Sequence, residues 1–187
     1  MIIRLVRSGL EDPDIEAGIK ILLTCSAPSL HTLQFSDFTP RSPQNQLVLD
    51  CAPAFRALHL RRFWIQLPAS HTSVTELSCT CERPGEWARC LKTIQSCQSL
   101  QKLTLDLSYY KNTDINTFSI DNMNPILTSL VHLELKGIGR ADVSSIWQFL
   151  DRLETPTLES LSIVFLDSWV PANMDFYGSL VSRWFAI

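Results

Sequence analysis

Glycine is scarce in this chain, with six in 187 residues. No Gly-rich phosphate loop, G-x-S-x-G, GxxxxGK[ST] or HExxH is present. The residues on which nucleotide cradling, serine hydrolysis or zinc proteolysis would rest are therefore missing. No apolar run approaches the ~20 residues needed to span a bilayer. The opening Met1-Ile2-Ile3-Arg4-Leu5-Val6-Arg7 lacks the longer apolar core and small-residue cleavage site of a signal peptide. There is no Asn-x-Ser/Thr acceptor. Charge of either sign is in short supply too. Sixteen Lys and Arg face nineteen Asp and Glu, for a net charge of −3 and a pI near 5.8. Phosphate neutralisation needs a basic face, so nucleic acid is not the expected partner. The expectation is an intracellular protein with no membrane contact and no cofactor. Its six cysteines are expected to be reduced rather than paired.

What the chain has in quantity is leucine at regular positions. Leu100-Gln-Lys-Leu103-Thr-Leu105 reads L-x-x-L-x-L, and close relatives recur. They are Leu30–Phe35, Leu130–Leu135 and Leu158–Ile163, with Phe55–Leu60 and Val74–Cys79 changed at one end. The middle leucines are Leu33, Leu58, Leu77, Leu103, Leu133 and Leu161, so successive steps are 25, 19, 26, 30 and 28 residues. Leucine-rich repeats run about 20–29 residues. In a strand, alternate side chains face one way. Leu33 and Phe35 thus enter a core while Thr32, Gln34 and Ser36 stay outside it. The first leucine of each unit sits at the bend into the strand. One unit cannot bury its apolar face alone, but stacked units can. The predicted fold is an α/β solenoid: a curved leucine-rich repeat of about six or seven units, one domain over 1–187. Parallel strands line its concave face, with helices and irregular segments outside.

Between the strands, Asp12-Pro13 starts a predicted helix as N-cap and first helical residue, with Ile15, Ile19 and Leu22 on one face. Residues 39–46 form a polar loop, 47–51 a helical turn, and 62–73 an irregular connection with Phe63, Trp64 and Ile65 at the core edge. Glu86–Ser96 is a helix with the stripe Trp87, Cys90, Leu91, Ile94 and Cys97. Asp142–Leu153 is another, with Val143, Ile146, Trp147, Leu150 and Leu153 inward. Asp175–Phe185 closes the chain as an amphipathic helix that covers the end of the stack. Residues 1–9 read as a strand met midway, with Ile3 and Leu5 matching Leu33 and Phe35. Terminal repeats normally carry a polar cap. None precedes this one, so the chain is expected to be part of something longer or a shortened gene product.

The lead-ins Cys25-Ser-Ala-Pro-Ser-Leu30 and Cys97-Gln-Ser-Leu100, with Cys51 ahead of Phe55, resemble the cysteine-containing repeats of F-box leucine-rich repeat proteins. The loose repeat lengths are similar to the divergent members abundant in mushroom-forming fungi. The resemblance covers roughly residues 20–165. It implies a substrate-recognition part of a ubiquitin-ligase receptor. The chain departs from the pattern at the Asn or Cys expected after each strand, where Phe38, Phe63, Ser108, Ile138 and Leu166 stand. No F-box is found in it, so the resemblance carries substrate recognition rather than adaptor binding.

Two clusters invite chemistry. Cys79-x-Cys81 with Cys90 and Cys97 offers four thiols for a zinc ion, yet zinc pairs are usually spaced C-x₂₋₄-C. Leu77, Cys79 and Cys81 alternate, and Cys90 and Cys97 lie on the apolar stripe, so core packing is the better reading. His59 and His132 both project from the concave face, about 14 Å apart at ~4.8 Å per strand, too far for a joint metal site or a dyad. No catalytic residues or metal ligands are assigned. Partner contacts are expected on the concave face, at Gln34, His59, Arg61, Arg62, Thr104, Asp106, His132 and Glu134, and at the loop residues Tyr109 and Tyr110. The surface mixes short polar residues with charges of both signs, and Arg56, His59, Arg61 and Arg62 make a local basic patch. A protein or peptide partner fits it better than a polyanion. The leading expectation is a non-catalytic interaction module; a truncated fragment without independent function and a zinc protein are the alternatives.

Overall fold

The computed structural model describes residues 1–6, 28–36, 54–61, 73–82, 84–107, 126–138, 149–150 and 153–165. They form a seven-stranded sheet whose strand order follows the chain: β1 (Ile2–Val6), β2 (Thr32–Ser36), β3 (Ala57–Arg61), β4 (Glu76–Thr80), β5 (Lys102–Asp106), β6 (His132–Ile138) and β7 (Ser160–Phe165). Every neighbouring pair is parallel. Parallel neighbours require a crossover between them. One crossover is the helix α1 (Pro84–Ser96), between β4 and β5.

Register follows the leucine pattern. Ile3, Leu33, Leu58, Leu77, Leu103, Leu133 and Leu161 form one continuous row across the sheet. Two residues on, Leu5, Phe35, Leu60, Cys79, Leu105, Leu135 and Ile163 form a second. A one-residue slip would turn every one of these side chains to the other face, so burial of one face holds the register. The bend residues Leu30, Phe55, Val74, Leu100 and Leu130 are buried beside the rows. With Trp87, Cys90, Leu91 and Ile94 of α1, and Cys97 just beyond its end, they make one continuous core. Each fully buried leucine is worth about 1.5–3 kcal/mol of transfer free energy.

The backbone repeats a device at each step. The carbonyl of the residue before a strand accepts two successive N–H groups from the next unit. His31 accepts from Arg56 and Ala57, Arg56 from Thr75 and Glu76, and Thr75 from Gln101 and Lys102. Gln101 accepts from Val131 and His132, and Val131 from Glu159 and Ser160, all at 2.8–3.0 Å. The strand starts are thereby tied together, and each new unit is hung on the one before.

Several expected boundaries move. The first helix after β4 begins at Pro84 rather than Glu86, because proline's fixed φ suits the first helical position. Glu86 accepts the Glu82 backbone N–H at 2.7 Å, joining the strand exit to the first turn. Of the predicted helix over 142–153, the described part is Phe149–Leu150 in helical conformation and Leu153 beyond it. Phe149 is fully buried, although the expected stripe passed it by. In β7, Leu161, Ile163 and Phe165 are half-buried, unlike their equivalents in β2–β6. That strand is the sheet's edge among the described residues. The helix from Asp12, the polar loop 39–46, the turn at 47–51, all of the connection at 62–73 except Ser73, and the helix at 175–185 lie outside the described residues.

Gly137 carries a feature the leucine pattern does not announce. Its φ is 69°, and it sits where the β6–β7 register shifts, between Lys136 and Ile138. A left-handed residue of this kind lets the strand hold one extra residue. Gly137→Ala should destabilise the protein by about 1 kcal/mol or more, since alanine meets a steric penalty at positive φ. Urea denaturation followed by circular dichroism would register it as a lower midpoint at unchanged slope.

Candidate functional site

The face of the sheet opposite the core is built by the same alternation. Between the buried rows stand half-exposed polar residues. Arg4, Gln34, His59, Ser78, Thr104, Glu134 and Ser162 form the central row in register. On one side runs Thr32, Ala57, Glu76, Lys102, His132 and Ser160. On the other, Arg61, Thr80, Asp106, Lys136 and Val164 align.

The charges on β4 to β6 engage one another. Lys102 Nζ meets Glu76 Oε1 at 2.9 Å across β4 and β5, and Lys136 Nζ meets Glu134 Oε2 at 3.0 Å. Thr104 Oγ1 donates to Glu134 Oε2 at 3.3 Å. Arg61 Nε meets Glu82 Oε1 at 3.3 Å, and the Glu82 side chain is only 8% exposed. The two lysine pairs are exposed enough that each contributes at most about 1 kcal/mol. Their larger effect is to fix long side chains on a flat surface. His59 lies in the middle of these groups. Burial holds its pKa below the ordinary 6.5, with Glu76 pulling upward and Lys102 and Arg4 downward. At neutral pH it is therefore an uncharged imidazole, able to donate from one nitrogen and accept at the other.

Of the residues expected to meet a partner, Gln34, His59, Thr104 and Glu134 come together in the central row. Arg61 and Asp106 flank it. His132 does not join His59: it aligns with Lys102 and Glu76, in the row on the other side. Arg62, Tyr109 and Tyr110 lie outside the described residues. Arg4 was not foreseen as part of this face. The alternation Ile3-Arg4-Leu5 held the signal, but the row it joins is visible only once β1 pairs with β2.

The four described cysteines sit on the other side of the sheet. Cys79, Cys81, Cys90 and Cys97 are free thiols, each fully buried. Cys90 shares side-chain hydrogen bonds with Cys79 and Cys81. Among the described residues no group of three or more His, Cys, Asp or Glu is arranged to hold a metal ion. The Cys90 thiol is pushed well above its ordinary 9.0, by burial first and then by its thiol neighbours. For Cys81, the hydrogen bond with Cys90 lowers the pKa, but burial and the nearby Cys79, Glu86 and Asp106 outweigh it and the net shift is upward. Burial, aided by Cys79, pushes Cys97 up to about 12. The thiolate is the nucleophile, so such thiols are inert while the protein is folded. A pulse of iodoacetamide at pH 8, read by peptide mapping, should leave these four unmodified unless denaturant is added. The same shifts set an alkaline limit. The unfolded chain releases the Cys81, Cys90 and Cys97 protons near pH 9 and the folded one does not. The stability is thus complete below pH 9 and drains away as pH rises toward 12. The urea midpoint should fall across that window.

Among the described residues no helix is long and apolar enough to cross a membrane. No protein-family model, curated protein or solved structure matches the chain.

Proposed function

We propose that the chain is a leucine-rich repeat solenoid of about six or seven units that works as a non-catalytic protein-interaction module. The observation that carries this reading is the recurrence of one backbone device. Five successive carbonyls, from His31 to Val131, each accept two N–H groups from the following unit. The spacing of those units follows the leucine pattern, and both leucine rows run through every strand. A surface hung on such a frame is rigid, and rigid surfaces bind with little backbone change. The polar face offers short hydroxyl and amide side chains between fixed ion pairs. It suits an extended segment or a protein surface and lacks the strong positive field a polyanion needs. The resemblance to F-box repeat proteins gives the specific form: an intracellular substrate-recognition part of a ubiquitin-ligase receptor.

The test is affinity capture from extract of the source cells, with mass spectrometry of what is retained. Thr104→Arg, at the centre of the face, is the control. Proteins retained by the parent and lost with Thr104→Arg support the interaction reading. Recovery of a cullin and its adaptor supports the ligase form. A set of retained proteins that Thr104→Arg leaves unchanged would place binding elsewhere and refute the proposal for this face.

A further inference from the structure

Charge is unevenly spread over the polar face. The described residues 1–6, 28–36 and 54–61, which carry β1, β2 and β3, hold no Asp or Glu. They hold Arg4, Arg56 and Arg61. Carboxylates begin at Glu76 on β4, and there the charges pair among themselves: Glu76 with Lys102, Glu134 with Lys136, and Glu82 with Arg61 from β3. Arg4 is exposed and makes no ion pair among the described residues. Next to it in register stand Gln34 and then His59. Both are half-buried.

Two strand steps separate Arg4 from His59, so their Cα atoms lie about 10 Å apart with Gln34 between them. Arginine is long enough to reach over its neighbour from one side and histidine can do so from the other. Arg4 already acts on the His59 ring through its charge. Register thus sets a guanidinium-bearing, an amide-bearing and an imidazole-bearing residue side by side across three neighbouring strands. One arginine in this row matches one negative charge, not the run of charges along a nucleic-acid backbone.

We propose that the Arg4–Gln34–His59 row receives an aspartate or glutamate side chain of a partner protein segment. The carboxylate lies over Gln34, ion-paired with Arg4 and accepting hydrogen bonds from Gln34 Nε2 and the His59 ring. This rests on the reading of the polar face as an interaction surface, and adds to it the chemistry of what is bound and the place. It also brings a proton into the binding. The groups that face His59 are Glu76 from β4, Lys102 from β5 and Arg4 from β1. Glu76 and Lys102 are paired with each other, and Arg4 becomes paired when a carboxylate arrives. An anion beside the ring then favours its protonated form, so binding takes up a proton and tightens as pH falls.

A phage-displayed library of random twelve-residue peptides, selected on the whole chain, tests this. The winning peptides are then synthesised and titrated by fluorescence polarisation at pH 6 and pH 8. The expected result is enrichment of peptides with Asp or Glu, bound about tenfold or more weakly by Arg4→Glu. They should bind more tightly at pH 6 than at pH 8, and His59→Asn should remove that difference. Peptides without acidic enrichment that Thr104→Arg blocks and Arg4→Glu does not would overturn the row and leave the face reading standing. Peptides indifferent to all three substitutions, or no binders at all, would overturn both. Binding of a labelled dT20 oligonucleotide that Arg4→Glu abolishes, with no acidic peptide selected, would assign the row to a nucleic-acid backbone and overturn the proposal.

Discussion

Leu103→Asp should unfold the protein, while Thr104→Asp, one residue along, should leave it folded. Leu103 is fully buried in the middle of the first leucine row, in register with Leu77 on one side and Leu133 on the other. A carboxylate there has no cation or donor within the leucine row, and taking an unpaired charge out of water costs several kcal/mol at the least. The lost leucine adds roughly 2–5 kcal/mol. Against a total stability of about 5–15 kcal/mol, the sum exceeds or consumes the whole. Thr104 points the other way. It is half-exposed and donates one hydrogen bond, to Glu134 at 3.3 Å. Aspartate there loses that bond and gains repulsion from Glu134, worth about 1 kcal/mol at most on an open face. Circular dichroism melts should show no cooperative transition for the first variant and a shift of a few degrees for the second. Equal shifts would mean that the inward and outward phases of β5 are not as described.

That contrast is legible in the sequence, because period-2 alternation fixes which residues share a face. The pairing of units also followed from spacing, since Leu33 to Leu161 all fall in one row. The inward phase of Cys79 and Cys81 was readable by the same rule, and that of Cys90 and Cys97 from helical periodicity. What alternation does not encode is the partner of each outward residue. Lys102 reaches Glu76 on the neighbouring strand, but Lys136 reaches Glu134 on its own. Both choices depend on side-chain reach across a finished sheet. Arg61 turns to Glu82, a residue beyond the end of β4, and no spacing rule links positions 61 and 82. Gly137 was equally silent: glycine in a strand signals a bulge only once the neighbouring register is known. Phe149 was missed for a local reason. The stripe Val143, Ile146, Trp147, Leu150 and Leu153 leaves it out, yet Phe149 is buried together with Leu150 and Leu153. Widening the stripe to include it takes knowledge of what lies opposite, which is Trp87.

Trp87→Ala should cost about 3–5 kcal/mol, the second-largest loss expected of a single substitution here. Among the described residues Trp87 is the largest fully buried side chain, on α1 between β4 and β5. It meets Phe149 edge to face, with ring centroids 5.2 Å apart and planes at 78°. Phe149 belongs to the crossover between β6 and β7. The contact therefore links two crossovers that are separated by two strands of the sheet. Such a ring pair adds about 0.5–1.5 kcal/mol beyond the area it buries. If the crossovers are clamped to one another, Trp87→Ala and Phe149→Ala should lose less together than the sum of their separate losses, by about that amount. If each only covers its own pair of strands, the two losses should add. Urea denaturation of the parent, both single variants and the double variant measures the difference. A coupling near zero would mean that each crossover is held by the sheet alone, and that the stack owes its cohesion to the leucine rows and the backbone carbonyls rather than to its outer layer.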